Sequence, residues 1–111
     1  NEDSLELGGV EQEVCVLFSD IRGFTSMSER MEPSKVVTLL NSFFDKMIDV
    51  VFKYNGTLDK IIGDELMVLY GAPLKKSDDI LNAVKTAKEM FTTLDKFNIT
   101  MVEEGWQGFS I

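Results

Sequence analysis

Two aspartates, Asp20 and Asp64, stand where apolar runs give way to tight turns. They lie in the strings Phe-Ser-Asp-Ile-Arg-Gly-Phe-Thr (Phe18 to Thr25) and Lys-Ile-Ile-Gly-Asp (Lys60 to Asp64). Brought together, their carboxylates offer hard oxygen ligands of the kind that suit Mg²⁺ or Mn²⁺. Past Asp20, the turn from Ile21 to Ser26 can present successive backbone N–H groups to phosphate oxygens. Gly23 permits close approach there, and Thr25 or Ser26 opens a short helix. Metal and phosphate would share one pocket. A strand-end Asp or a Gly-Asp turn taken alone is more often structural; the joint pattern is what carries the reading.

The elements that must position these groups follow from the apolar spacing. Val14–Ser19 is a short, nearly continuous apolar run, the pattern of a strand buried on both faces, which leaves Asp20 at its C-terminal end. Pro33 suits the first turn of a helix, and Val36, Leu40, Phe43, Phe44, Met47, Val51 and Tyr54 recur at helical spacing up to Asn55-Gly56, with glycine as the C-cap. Val37, Ile48 and Phe52 widen that helix's apolar surface, which fits equally a helix that serves both the sheet and a partner and one that is fully buried. Thr57–Ile62 and Glu65–Tyr70 read as strands joined by a two-residue Gly63-Asp64 turn, which puts Asp64 at a hairpin tip. Asp78 or Asp79 can cap a last helix carrying Leu81, Val84, Ala87, Lys88, Phe91 and Leu94 to about Phe97. Phe109-Ser110-Ile111 looks like the start of a strand. The order is an α+β, ferredoxin-like βαββαβ plan, truncated before the last strands are complete, with an unfinished edge that favours association. Residues 1–13, acidic with a Gly8-Gly9 pair, read as a linker and residues 14–111 as the partial domain; Met47, Met67 and Met90 fall at core positions.

Composition bounds the function. With 111 residues, 44% of them hydrophobic, the chain has room for one core-forming domain. Nineteen acidic against eleven basic residues, net −8, argue against nucleic acid or an anionic membrane as partners. The absence of histidine excludes Ser-His triads and histidine-based general-base catalysis within the chain. Cys15, the single cysteine, can form no internal disulfide and suits a reducing, cytoplasmic setting. No apolar stretch approaches the roughly 18 residues of a membrane span.

The two strings resemble the signature of class III nucleotidyl cyclases, the adenylate and guanylate cyclase catalytic domains, and the resemblance runs from about Glu13 to Ile111. It implies that Asp20, Asp64 and the carbonyl of Ile21 bind two metal ions, Mg²⁺ or Mn²⁺, and that Asp20 and Asp64 are the catalytic pair. Ile21, Arg22, Gly23, Phe24, Thr25, Ile62 and Gly63 would contact the triphosphate. It further implies two-metal catalysis, in which a ribose 3′-hydroxyl attacks the α-phosphate and pyrophosphate departs. Lys60 matches the position where adenylate cyclases carry a base-reading lysine and guanylate cyclases usually carry glutamate, so ATP is the expected substrate and cyclic AMP the product. Two copies of the domain would form the active unit, one giving the aspartates and the other the lysine. The family's second base-reading residue, and the asparagine and arginine that stabilise its transition state, correspond to positions past Ile111, so negligible activity is expected of these 111 residues alone. A guanylate cyclase, or a non-catalytic module that dimerises or binds nucleotide, are the alternatives. Gly63-Asp64-Glu65-Leu66 echoes the hairpin of diguanylate cyclases, but the first string does not fit them. A phosphotransfer receiver would need a parallel sheet, which the Gly63-Asp64 hairpin contradicts.

Overall fold

In the computed structural model, which describes residues 9 and 11–111, three strands and three helices follow one another. They are β1 (Cys15–Ser19), α1 (Phe24–Glu29), α2 (Pro33–Lys53), β2 (Thr57–Ile62), β3 (Glu65–Tyr70) and α3 (Asp79–Glu103). Most of the expected linker lies outside the described residues. The sheet order is β1-β3-β2, antiparallel throughout, so the hairpin's second strand sits in the middle and pairs with β1 along its full length. That is the antiparallel part of the expected α+β plan. Among the described residues no helix is long and apolar enough to cross a membrane.

The helices cover one face of the sheet. From α2 come Leu39, Phe43, Met47 and Val51, from β3 Leu66, Val68 and Tyr70, and from α3 Met90, Leu94, Phe97 and Met101, all buried in one cluster. Among the described residues nothing covers the opposite face, and β1 is there buried on one side only, contrary to the expectation from its continuous apolar run. Val16 and Phe18 point away from the core, Phe18 with 61% of its surface exposed. Met67 pairs with Phe18 and so shares this open face rather than the core. On α2, Val37 and Phe52 remain exposed while Ile48 packs on the core, so the helix is not the fully buried one that its wide apolar surface would also fit.

The last helix differs from its expected form in two ways. It runs on to Glu103 instead of ending near Phe97, and only part of the expected face is buried. Leu81, Val84 and Phe91 are exposed while Ala83 and Thr86 pack inward, and Met90 and Leu94 are buried as expected. Helical spacing offers two apolar stripes here, and satisfied polarity decides between them: the buried Thr86 hydroxyl donates to the Asn82 carbonyl at 2.8 Å and accepts from the Tyr70 hydroxyl.

After the helix, Phe109 stacks edge-on against Phe43 with ring centroids 5.3 Å apart. The Asn98 side chain donates to the Phe109 carbonyl at 2.6 Å and accepts from its N–H at 3.1 Å. Residues 109–111 form no strand; the Arg22 N–H donates to the Ser110 carbonyl at 2.8 Å, and among the described residues this backbone bond is not continued into a ladder.

At the end of α2 the glycine works differently from the expected C-cap. Asn55 takes the left-handed conformation, φ 62°, and the Asn55 and Gly56 N–H groups bond back to Phe52 and Val51. Gly56 is needed for space: a Cβ there would lie 2.8 Å from the Tyr70 ring and 2.9 Å from Val51. Gly56→Ala is expected to cost about 1–3 kcal/mol by overpacking. That lowers Tm by roughly 5–15 °C in a domain of this size, measurable by calorimetry; an unchanged Tm would contradict this packing.

Candidate functional site

The antiparallel register of β1 and β3, with Ser19 opposite Leu66, carries the C-terminal end of β1 past the start of β3. Asp20 and Ile21 thereby arrive beside Asp64. The hairpin tip makes this possible: Ile62 pairs with Glu65, leaving only Gly63 and Asp64 in the turn, and Gly63 adopts φ 61°, a conformation that L side chains rarely take. The Ile21 N–H donates to Asp64 Oδ2 at 3.2 Å, which ties strand end to hairpin tip.

The two carboxylates are close enough to interact. Burial first, then the neighbouring Asp20 carboxyl, push the Asp64 pKa above its usual value, while backbone N–H groups, among them that of Ile21, act in the opposite direction. Asp20 itself is exposed. Asp64, whose ionisation burial and its neighbour oppose, forms with Asp20 a donor set that a hard divalent cation would relieve, so the residues present fit such an ion. Among the described residues no group of three or more Asp, Glu, Cys or His gathers. The remaining ligands would have to be oxygens of backbone, water or substrate.

The turn that follows divides its N–H groups. Those of Ile21 and Arg22 are taken by Asp64 and Ser110. Gly23, in the left-handed conformation at φ 66°, starts α1, and its carbonyl accepts from the Met27 N–H at 3.0 Å. Phe24, Thr25 and Ser26 are then first-turn residues whose N–H groups no helical carbonyl can reach. Thr25 is exposed, Phe24 is partly buried against the core, and Ile21 is buried. The Arg22 side chain, Gly63 and Ile62 are at the surface.

The structure unites Asp20, Ile21 and Asp64 but not Lys60. Lys60 pairs with Met67, which pairs on its other side with Phe18, so these three make one cross-strand row on the open face. Two strand spacings, roughly 10 Å, separate its strand from β1. Sequence reasoning missed one feature next to it: β2 has a bulge between Leu58 and Lys60, where Asp59 is the extra residue. The signal was present, since Leu58 and Ile61, paired with the buried Val68 and Leu66, stand three apart and break the period of two.

The chain matches the model of the adenylate and guanylate cyclase catalytic domain over residues 9–107. It is 38% identical over 97 residues to an adenylate cyclase of Anabaena cylindrica, spanning 86% of this chain and 18% of that one. Among solved structures it resembles the guanylyl cyclase Cya2, with TM-score 0.85, 41% identity, and coverage of 89% of this chain and 51% of that one. It also resembles the adenylyl cyclase CyaB from P. aeruginosa, with TM-score 0.83, 33% identity and coverage of 89% and 53%. The chain thus spans about half the length of these solved structures and under a fifth of the Anabaena protein.

The electrostatics of the carboxylate pair give a signed prediction. A raised Asp64 pKa means that the metal-free fold loses stability as pH climbs above the ordinary aspartate value of 3.8 through the folded-state pKa. Asp64→Asn should therefore raise Tm without metal, by order 1–3 °C at pH 7, and abolish stabilisation by Mn²⁺. In the wild-type chain, Mn²⁺ should raise Tm more at pH 7.5 than at pH 4.5. A Mn²⁺ shift that survives Asp64→Asn in thermal denaturation would contradict this account.

Proposed function

The chain belongs to the adenylate and guanylate cyclase catalytic domain family, and from that premise we propose that it is the metal-binding part of a domain that converts ATP to 3′,5′-cyclic AMP and pyrophosphate. The observation that carries the reading is the side-by-side placement of Asp20 and Asp64, fixed by the Ile21 N–H.

The carboxylates of Asp20 and Asp64 and the carbonyl of Ile21 would hold two Mg²⁺ or Mn²⁺ ions. Such ions, when bound, neutralise phosphate charge and make the ribose 3′-hydroxyl a better nucleophile. The chain's own residues supply orientation. With the N–H groups of Ile21 and Arg22 already engaged, the first-turn N–H groups of Phe24 and Thr25 are among those left to meet triphosphate oxygens, and Gly23 leaves room for them. Arg22 adds a cation at the surface, and Ile62 and Gly63 border the other side.

Lys60, about two strand spacings away, would read adenine in the pocket of a second copy. The open sheet face supports pairing of copies: Val16, Phe18 and Ile62 are exposed by 42%, 61% and 60%, an apolar patch around Lys60 that association would cover. Guanylate cyclase is the second reading, favoured by the 41% identity to Cya2; Lys60 is the reason to prefer ATP.

Since the chain spans only about half of its solved relatives, turnover by these 111 residues alone is expected to be negligible. Losing electrostatic stabilisers costs several kcal/mol, roughly 10²-fold or more in rate. Cyclic AMP production from Mn²⁺ and ATP by the purified chain, at the rate of a longer polypeptide, would overturn this. In titration calorimetry with Mn²⁺ present, ATP should bind more tightly than GTP and Asp20→Ala should weaken ATP by at least about tenfold, the scale of a charged contact. Phe18→Asp should shift any dimer to monomer in sedimentation while leaving Tm within about 2 °C, because this exposed side chain lies outside the core cluster of the described residues.

A further inference from the structure

The bulge in β2 is costly: Asp59 lacks a partner on β3, and the ladder is locally broken. Its benefit is visible in the register. The hairpin turn fixes Ile62 opposite Glu65, Ile61 opposite Leu66 and Lys60 opposite Met67. Had regular pairing continued, Asp59 would face Val68, whose side chain is wholly buried. The extra residue instead gives that place to Leu58, which packs against the core, and turns Asp59 outwards alongside Lys60. There Asp59 Oδ2 lies 3.5 Å from Lys60 Nζ, with the two side chains 33% and 54% exposed.

We infer that Asp59 is a positioning residue for Lys60: the bulge presents its carboxylate so that the lysine ammonium is held over the Phe18–Met67 row instead of sweeping freely through solvent. The inference rests on the reading of Lys60 as the base-selecting residue. A lysine side chain has many rotamers to lose on binding, and a carboxylate that restricts them in advance lowers that cost for whatever base the ammonium contacts. An exposed pair of this kind changes an equilibrium by a factor of about 2–5, so the effect belongs to selectivity and not to folding.

The test compares the wild-type chain with Asp59→Asn and Asp59→Glu. Side-chain NMR relaxation at the Lys60 ε-methylene, recorded without nucleotide, should report increased mobility in Asp59→Asn and near wild-type order in Asp59→Glu. With Mn²⁺ present, the ratio of GTP to ATP dissociation constants should fall about 2–5-fold in Asp59→Asn, recover in Asp59→Glu, and leave Mn²⁺ affinity unchanged in both. Unaltered Lys60 mobility in Asp59→Asn overturns the inference, as does an unaltered ratio where the wild-type chain discriminates. If the wild-type chain binds neither nucleotide, the functional reading fails on its own and the relaxation data alone decide whether Asp59 positions the lysine.

Discussion

A single hydrogen bond, from the Ile21 N–H to Asp64 Oδ2 at 3.2 Å, links the two halves of the site. It connects segments more than forty positions apart in sequence, and it can form only if β1 and β3 pair in the observed register. A slip of one residue would turn Leu17 and Ser19 outwards and send Val16 and Phe18 into the core, so the apolar pattern of β1 and the chemistry at its end are set together. The site therefore divides its donors: the Ile21 N–H holds a carboxylate, and the first-turn N–H groups of α1 are left without helical partners.

The carboxylate pair is a local cost accepted within a stable frame. Asp64 is partly buried beside Asp20, which disfavours ionisation, and the backbone N–H groups offset this only in part. What holds the tension is the packing beneath it, where Leu66 and Val68 of β3 are fully buried against α2 and α3. The core, and not the carboxylates, fixes their separation. On the far face, the exposed Phe18 and Ile62 and the outward-turned Lys60 make a partly apolar surface that no described residue covers.

Much of this was legible in the sequence because the relevant signals are local. The Gly63-Asp64 turn dictates the hairpin, and the run ending at Ser19 dictates where Asp20 sits. What escaped depends on tertiary choice. α3 carries two apolar stripes, and only the Tyr70–Thr86–Asn82 hydrogen bonds reveal which is buried. A continuous apolar run in β1 reads as a strand covered on both sides, yet its outer face is open among the described residues. Gly56 looked like a conformational cap but is there for want of space beside Tyr70. The bulge at Asp59 left a trace in the spacing of Leu58 and Ile61, too short a trace to be distinguished from irregular alternation without the partner strand.

The central claim is that Asp20 and Asp64 together hold a divalent cation. Crystals of the chain grown with Mn²⁺ and ATP, measured for anomalous scattering at the manganese edge, test it most directly. The account predicts a peak between the two carboxylates, about 2.0–2.3 Å from an oxygen of each, as octahedral oxygen ligation requires. Manganese bound elsewhere, or none at these two residues with nucleotide present, would contradict it.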